Sequence, residues 1–198
     1  PGFGGQGVAV ADINNDGRED IYVSHCAPDS CRRDVLYIQQ ADGTFVDEAQ
    51  SRGVADDCCS YGIVFFDADN DGDLDLFNAN DGEPNQLYIN GGSGYFSNES
   101  ALRGIANTNS NTRGVVALDI NRDGRLDIFA VNDGSAHEMY INDGAGQFTL
   151  EARGAEGSNP TQANGELGVT AADVDNDGDV DIHVSREFGP NELFINNN

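Results

Sequence analysis

Short apolar runs broken by Gly, Asn and Asp recur along the chain in a fixed order. Laid against itself at a spacing of about fifty residues, the sequence aligns DINNDGRED at position 12, DADNDGDLD at 67, DINRDGRLD at 119 and DVDNDGDVD at 173. Each nonapeptide is preceded by a glycine and an apolar run, at Gly7, Gly62, Gly114 and Gly168. Each is followed by a short apolar stretch, a polar loop and a second aligned block, VLYIQ, QLYIN, EMYIN or ELFIN. The first three copies then carry a Gly-x-Phe turn ending at Phe45, Phe96 and Phe148, which the fourth does not reach before Asn198. No stretch of helical period is long enough to matter, so each copy reads as three or four short strands separated by turns.

This pattern predicts an all-β protein, a β-propeller-like array of four repeats spanning about 1–54, 55–106, 107–160 and 161–198, with the last repeat lacking its outer strand. Runs such as IVFFD and VVALD lack polar alternation, which predicts strands buried on both faces, as the inner strand of a blade is. The 198 residues suffice for one sizeable core, and no linker-like break in composition divides them.

The loops change the picture from architecture to chemistry. In each nonapeptide, oxygen-bearing side chains fall at positions 1, 3, 5 and 9 and Gly at 6. Calcium takes six to eight oxygens at about 2.3–2.6 Å, and alternate residues of a tight loop point inward while a backbone carbonyl at position 7 completes the shell. The expected side-chain ligands are Asp12, Asn14, Asp16 and Asp20; Asp67, Asp69, Asp71 and Asp75; Asp119, Asn121, Asp123 and Asp127; Asp173, Asp175, Asp177 and Asp181. The carbonyls of Arg18, Asp73, Arg125 and Asp179 are expected at position 7, giving about four Ca2+, one per repeat. Loops two and four carry four acidic ligands against three in loops one and three, and are expected to bind more tightly. An EF-hand needs a Glu at position 12 and flanking helices; here Val23, Asn78, Ala130 and Val184 stand there, in strand-like surroundings. A calcium β-roll needs a period of nine rather than fifty. Ordinary Asx turns explain one such loop well and four identically spaced ones poorly.

Composition fits a cation binder. Acidic residues outnumber basic ones 35 to 10 for a net charge of −25, all ten cations are Arg, and 38% of residues are apolar. Such a surface repels nucleic acid and anionic membranes, and no apolar run is long enough for direct membrane insertion. With no initiator Met or leader, the chain reads as a processed or excised product.

The glycine and apolar strand, the DxDxDGxxD loop, the LYIN block and the Gly-x-Phe turn resemble the FG-GAP or VCBS repeat of integrin α-chain propellers. The tails GTFVDEAQSRGV and GYFSNESALRGI look closest to the branch that includes cartilage acidic protein. The resemblance covers essentially the whole chain. It implies that the loop joins the first two strands of a blade, that its metal is structural, and that a complete propeller has about seven blades. Four copies therefore form either a small ring or an open arc whose free edge another protomer could pair with.

The remaining candidates are fewer. Cys26, Cys31, Cys58 and Cys59 form an even set that favours disulfides in an oxidising, extracellular compartment over a zinc site. The pairing is either Cys26–Cys31 with a vicinal Cys58–Cys59 bridge, or crossed between the copies. Asn98 begins the sequon NES, a candidate glycosylation site, whereas Asn159 precedes Pro160. His25, His137 and His183 occupy unrelated positions, no nucleophile–base set recurs, and Lys is absent, so the chain reads as non-enzymatic. Tyr37, Tyr88, Tyr140 and Phe194 recur at one place in each copy and read as packing residues. The expected role is an extracellular scaffold or adhesion module meeting a protein or glycan partner; the alternative is a self-assembling subunit of a fibre, bound to copies of itself.

Overall fold

The structure, a computed structural model, describes residues 5–26, 33–105, 111–151 and 165–197. Four antiparallel sheets follow one another along the chain. The first holds β1 (Gly5–Ala11), β2 (Asp20–His25), β3 (Val35–Gln39) and β4 (Phe45–Asp47). A single helical turn, α1 (Ala49–Arg52), closes on Gly53 in the left-handed conformation. The second sheet holds β5 (Ser60–Phe66), β6 (Asp75–Asn80), β7 (Gln86–Asn90) and β8 (Phe96–Asn98). The third holds β9 (Thr112–Leu118), β10 (Asp127–Asn132), β11 (Glu138–Asn142) and β12 (Phe148–Glu151). The fourth has three strands, β13 (Glu166–Ala172), β14 (Asp181–Arg186) and β15 (Glu192–Phe194). Each strand pairs with its neighbours in sequence, so every sheet is a simple meander.

The recurrent glycines explain how the sheets stack. A Cβ on Gly7 would lie 2.2 Å from the Tyr61 carbonyl oxygen, and one on Gly62 would lie 3.0 Å from the Gly114 Cα. The first strands thus approach backbone to backbone, which only glycine allows. Among the described residues β1 packs on β5, β5 on β9 and β9 on β13, while no comparable packing joins β13 to β1. The four sheets form an open row.

Three cores fill the spaces between the four sheets. Ile13, Tyr22, Leu36 and Ile38 of the first sheet meet Leu76, Tyr88 and Phe96 of the second. Phe77, Ala79, Leu87 and Ile89 of the second meet Ile128, Tyr140 and Phe148 of the third. Phe129, Val131 and Met139 of the third meet Ile182, Val184 and Phe194 of the fourth. Successive residues of the second strands serve opposite cores, Leu76 facing back and Phe77 facing forward, because strand side chains alternate.

This corrects the expectation about burial. β6 and β10 are buried at every position, whereas β5 and β9, which carry IVFFD and VVALD, are half-buried along most of their length. The second strand is flanked on both edges and covered on both faces; the first strand is the outermost of its sheet.

Candidate metal centres in the hairpin loops

Each nonapeptide forms the hairpin between the first two strands of its sheet, with Ala11 opposite Asp20, Phe66 opposite Asp75, Leu118 opposite Asp127 and Ala172 opposite Asp181. The loop turns because position 4 adopts the left-handed conformation in every copy, at Asn15, Asn70, Arg122 and Asn176, with φ near +60°. Asn tolerates this conformation; Arg122 is the departure. Gly17, Gly72, Gly124 and Gly178 follow with φ between +82° and +95°, and the open space around the first three shows that conformation, not crowding, requires glycine there.

Position 1 organises the turn. The two carboxylate oxygens of Asp12 accept hydrogen bonds from the backbone N–H groups of Asp16 and Gly17, at 3.0 and 2.7 Å. Asp67 and Asp119 repeat the pair, and Asp173 accepts from Gly178. Position 5 accepts the N–H of position 7 in every loop.

Position 9 has a second duty that the loop pattern does not announce. Asp20, Asp75, Asp127 and Asp181 are buried, and each ties three pieces of its sheet together. One oxygen of Asp75 accepts from Ala68 N at 2.8 Å, in its own loop, and the other from Asn90 N at 2.7 Å, at the end of the third strand. Asp20, Asp127 and Asp181 do the same with Ile13 and Gln39, Ile120 and Asn142, and Val174 and Asn196. Burial pushes the Asp75 carboxyl up to about 7, against its two backbone hydrogen bonds and helped by Asp69 and Asp71. Burial likewise raises Asp127 to about 6, and raises Asp20. A cation in the loop would reverse this, since a nearby positive charge favours the ionised form.

The oxygens converge most in loops two and four. One oxygen from each of Asp67, Asp69 and Asp71 lies within 4.8 Å of the others, as does one from each of Asp173, Asp175 and Asp181. Asp69 places one oxygen on Arg103 at 3.1 Å, while its other oxygen is buried without a hydrogen-bond partner. A buried, unpartnered carboxylate oxygen beside two further carboxylates suits a hard divalent cation. In loops one and three, Asn14 and Asn121 accept the N–H of Asp16 and Asp123, as Asp175 accepts that of Asp177 in loop four. Arg18 pairs with Asp16 and Arg125 with Asp123, so position 7 offers a counter-charge there. At Asp73 and Asp179 that position reaches across repeats: Asn15 of loop one donates to Asp73 at 2.7 Å, and Arg122 of loop three pairs with Asp179.

The asparagine of the LYIN block also belongs to the site. Asn90 Nδ2 donates to Ile13 O of loop one at 2.8 Å, Asn142 Nδ2 to Ala68 O of loop two at 2.8 Å, and Asn196 Nδ2 to Ile120 O of loop three at 2.9 Å. Each thereby fixes the loop of the preceding repeat. Arg52 and Arg103 tie in the other direction, from the tail of one repeat to turn carbonyls of the next, Gly94 at 2.9 Å and Ala145 at 2.9 Å.

Of the cysteines, Cys26 and Cys59 are joined, linking β2 to the strand entering the second sheet. This excludes the Cys26–Cys31 and Cys58–Cys59 set and selects a crossed one; Cys31 lies outside the described residues. Nearby, a buried polar cluster bridges the first two sheets. The Asp34 carboxylate accepts from Tyr22 at 2.9 Å, Asn78 at 2.8 Å and the His25 N–H at 2.7 Å. Burial outweighs these hydrogen bonds and pushes Asp34 up to about 6.

A pH dependence follows. The folded state holds the Asp34 proton more tightly than the unfolded chain, whose ordinary value is 3.8. Its contribution to stability is complete below about pH 4 and is lost as pH rises through about 6. Relative to Asp34→Asn, the wild type is expected to lose about 1.4 kcal/mol of stability between pH 5 and 8. Urea unfolding of both proteins across that range checks it, and parallel curves would contradict it.

Stacked antiparallel meanders, three of four strands and one of three, each with an acidic hairpin loop, define an all-β repeat protein. Residues 67–130 and 119–184, together more than half of the chain, match the FG-GAP-like repeat, and the chain belongs to that family. Repeats of this kind are found in extracellular, adhesion-type domains and often bind calcium. Among curated proteins, none matches the chain. No helix among the described residues is long and apolar enough to cross a membrane.

Proposed function

We propose that this chain is a non-enzymatic, calcium-stabilised extracellular scaffold, a propeller-like array in which each loop holds one Ca2+ and the surrounding loops meet a protein or glycan partner. The observation that carries the reading is the convergence of Asp67, Asp69 and Asp71, and of Asp173, Asp175 and Asp181, with an unpartnered Asp69 oxygen among them. Loops one and three hold their ion with one carboxylate fewer. Calorimetric titration is expected to resolve two tighter and two weaker sites, because affinity follows ligand charge. Asp69→Asn, which gives loop two the ligand set of loop three, is expected to weaken one tight site about tenfold. Four indistinguishable sites, or no calcium binding, would sink the reading. Asn98, exposed at the end of β8, is the site that a glycan would occupy.

A second reading rests on the end sheets. Val8, Val10 and Tyr37 of the first sheet, 65, 57 and 38% exposed, hold the places that Ile63, Phe65 and Tyr88 fill against the sheet before them. Leu193 and Ile195 of the fourth, 51 and 41% exposed, hold the places of Leu87 and Ile89, which face the sheet after them. The two faces extend the packing of the interior, so copies of the chain stacked head to tail would grow as a filament. Sedimentation at rising protein concentration tests this; a monomer throughout rules it out.

A further inference from the structure

The four loops are of two kinds that alternate along the chain. Loops one and three hold Asn at position 3 and Arg at position 7, Asn14 and Arg18 in the one and Asn121 and Arg125 in the other. Loops two and four hold Asp at both, Asp69 and Asp73, then Asp175 and Asp179. A period of one loop accounts for the cation ligands; a period of two needs another reason. Position 4 supplies it, because its side chain leaves its own loop and reaches the next repeat. Asn15 Nδ2 donates to Asp73 Oδ1 at 2.7 Å, joining loop one to position 7 of loop two. Arg122 joins loop three to loop four more fully: Nε donates to Gly178 O at 3.1 Å, Nη2 to Asp177 O at 3.3 Å, and the guanidinium pairs with the buried Asp179.

The junction between loops two and three is built differently. Arg125, at position 7 of loop three, has no acceptor to offer and turns onto Asp123 of its own loop. The amide of Asn70 accordingly passes loop three by and donates to Gly144 O, in the turn between β11 and β12, at 3.3 Å. Arg122 adds a second sign that the link is selected. It stands in the left-handed conformation, with φ +59°, where the other three loops have Asn. An arginine carries a steric cost there that asparagine largely avoids, and strain of this kind persists where the surrounding contacts require it. The guanidinium on positions 5, 6 and 7 of loop four is that contact.

We propose that the calcium loops work as two coupled pairs, loop one with loop two and loop three with loop four, in which Asn15 and Arg122 are the positioning residues that carry occupancy from one loop to its partner. The inference rests on the calcium reading of the loops. Asn121 and Asp123 flank Arg122, so an ion held by loop three fixes the segment from which the guanidinium extends. Arg122 in turn holds the turn of Asp177, Gly178 and Asp179, which contains one expected side-chain ligand and the expected position-7 carbonyl of loop four. Ordering one loop thus removes part of the ordering cost of the other, and the effect is reciprocal. Asn15, between Asn14 and Asp16, does the same for Asp73 through one hydrogen bond.

Calorimetric calcium titration of the 198-residue protein tests this in the Asp71→Ala background, which disables loop two and leaves loop four as the tight site. That site is expected to match wild type, because loops two and three are not coupled. Adding Asp123→Ala, which disables loop three, is expected to weaken it about tenfold, within the usual range of coupling between sites. With Arg122→Asn also present, Asp123→Ala is expected to leave it unchanged, since asparagine keeps the left-handed turn and cannot reach loop four. Arg122→Asn alone removes a positive charge beside both loops, which by itself would strengthen calcium binding. Coupling predicts the opposite at loop three: one of the two weaker sites falls about tenfold in affinity while the circular dichroism spectrum stays unchanged. This measurement decides the question should Asp123→Ala fail to fold. A loop four indifferent to Asp123→Ala, or an unweakened loop three in Arg122→Asn, overturns the proposal. So does a tight site weakened by Asp71→Ala, which would make the whole row one coupled unit. Wild-type protein that binds no calcium overturns the calcium reading as well, whereas two tight and two weaker sites that fill independently overturn the pairs alone.

Discussion

Excess chelator is expected to lower the midpoint of thermal unfolding by on the order of 15–25 °C, read by circular dichroism against the calcium-saturated protein. The estimate starts from the loops. An extracellular site with a dissociation constant of about 0.1 mM, in roughly 2 mM calcium, stabilises the folded state by about 1.8 kcal/mol. Four sites sum to about 7 kcal/mol, comparable with the whole net stability of a domain, and for a chain of this size each kcal/mol moves the midpoint by about 2–4 °C. Metal-free loops also gather carboxylates that burial has already shifted, with Asp75 raised to about 7 and Asp127 to about 6. At neutral pH the apo protein must leave these groups ionised among like charges or protonate them, and either costs stability. A row of sheets that touch only their neighbours should lose cooperativity as well, so a broadened transition is expected alongside the lower midpoint. An unchanged melt would remove calcium from any structural role.

How much of this was legible in the sequence depends on how far the partner lies. The hairpin loops were readable because their chemistry is local: Asp12 bonds to residues four and five positions on, and the spacing of oxygens and glycine states the turn. The meander of strands followed from apolar runs broken by turn residues. The recurring glycines were visible as a pattern, yet their reason, the approach of Gly62 to Gly114, exists only between sheets. The deepest burial was expected in β5 and β9 rather than in β6 and β10, for a related cause. β6 and β10 carry Asn78, Asn80 and Asn132, polar residues that argue against deep burial until the Asp34, Asp56 and Thr112 side chains that satisfy them come into view. Position 9 was read as a ligand alone; its backbone bonds to the third strand, from Asp75 to Asn90 across 15 residues, give it a structural duty in the absence of any ion. The sequence held one unread signal, the asparagine closing the second block in repeats two to four, where repeat one has Gln39.

That asparagine carries the second large expected effect. Asn142 is fully buried, and its side chain makes three hydrogen bonds: Nδ2 donates to Ala68 O at 2.8 Å and to Leu126 O at 3.1 Å, and Oδ1 accepts from Gly144 N at 2.9 Å. One partner lies in the preceding repeat's loop, one in its own, and one in the turn leading to β12, so a single amide holds three segments at the junction of two sheets. Asn142→Ala leaves two carbonyls and one N–H buried without partners. At about 1–3 kcal/mol for each orphaned group, partly relieved by entering water, the expected loss is about 4 kcal/mol. Asn142→Asp keeps the shape but turns an acceptor oxygen toward two carbonyls, and should cost at least as much. Gln39→Ala supplies the contrast: Gln39 reaches Asp20 through its backbone N–H, which alanine retains, and the cost should stay below about 1 kcal/mol. Calcium affinity separates this from a mere packing defect. Loosening Ala68 O loosens loop two, so Asn142→Ala should weaken calcium binding at Asp67, Asp69, Asp71 and Asp75, one repeat upstream of the substitution, while the site built on Asp173 keeps its affinity.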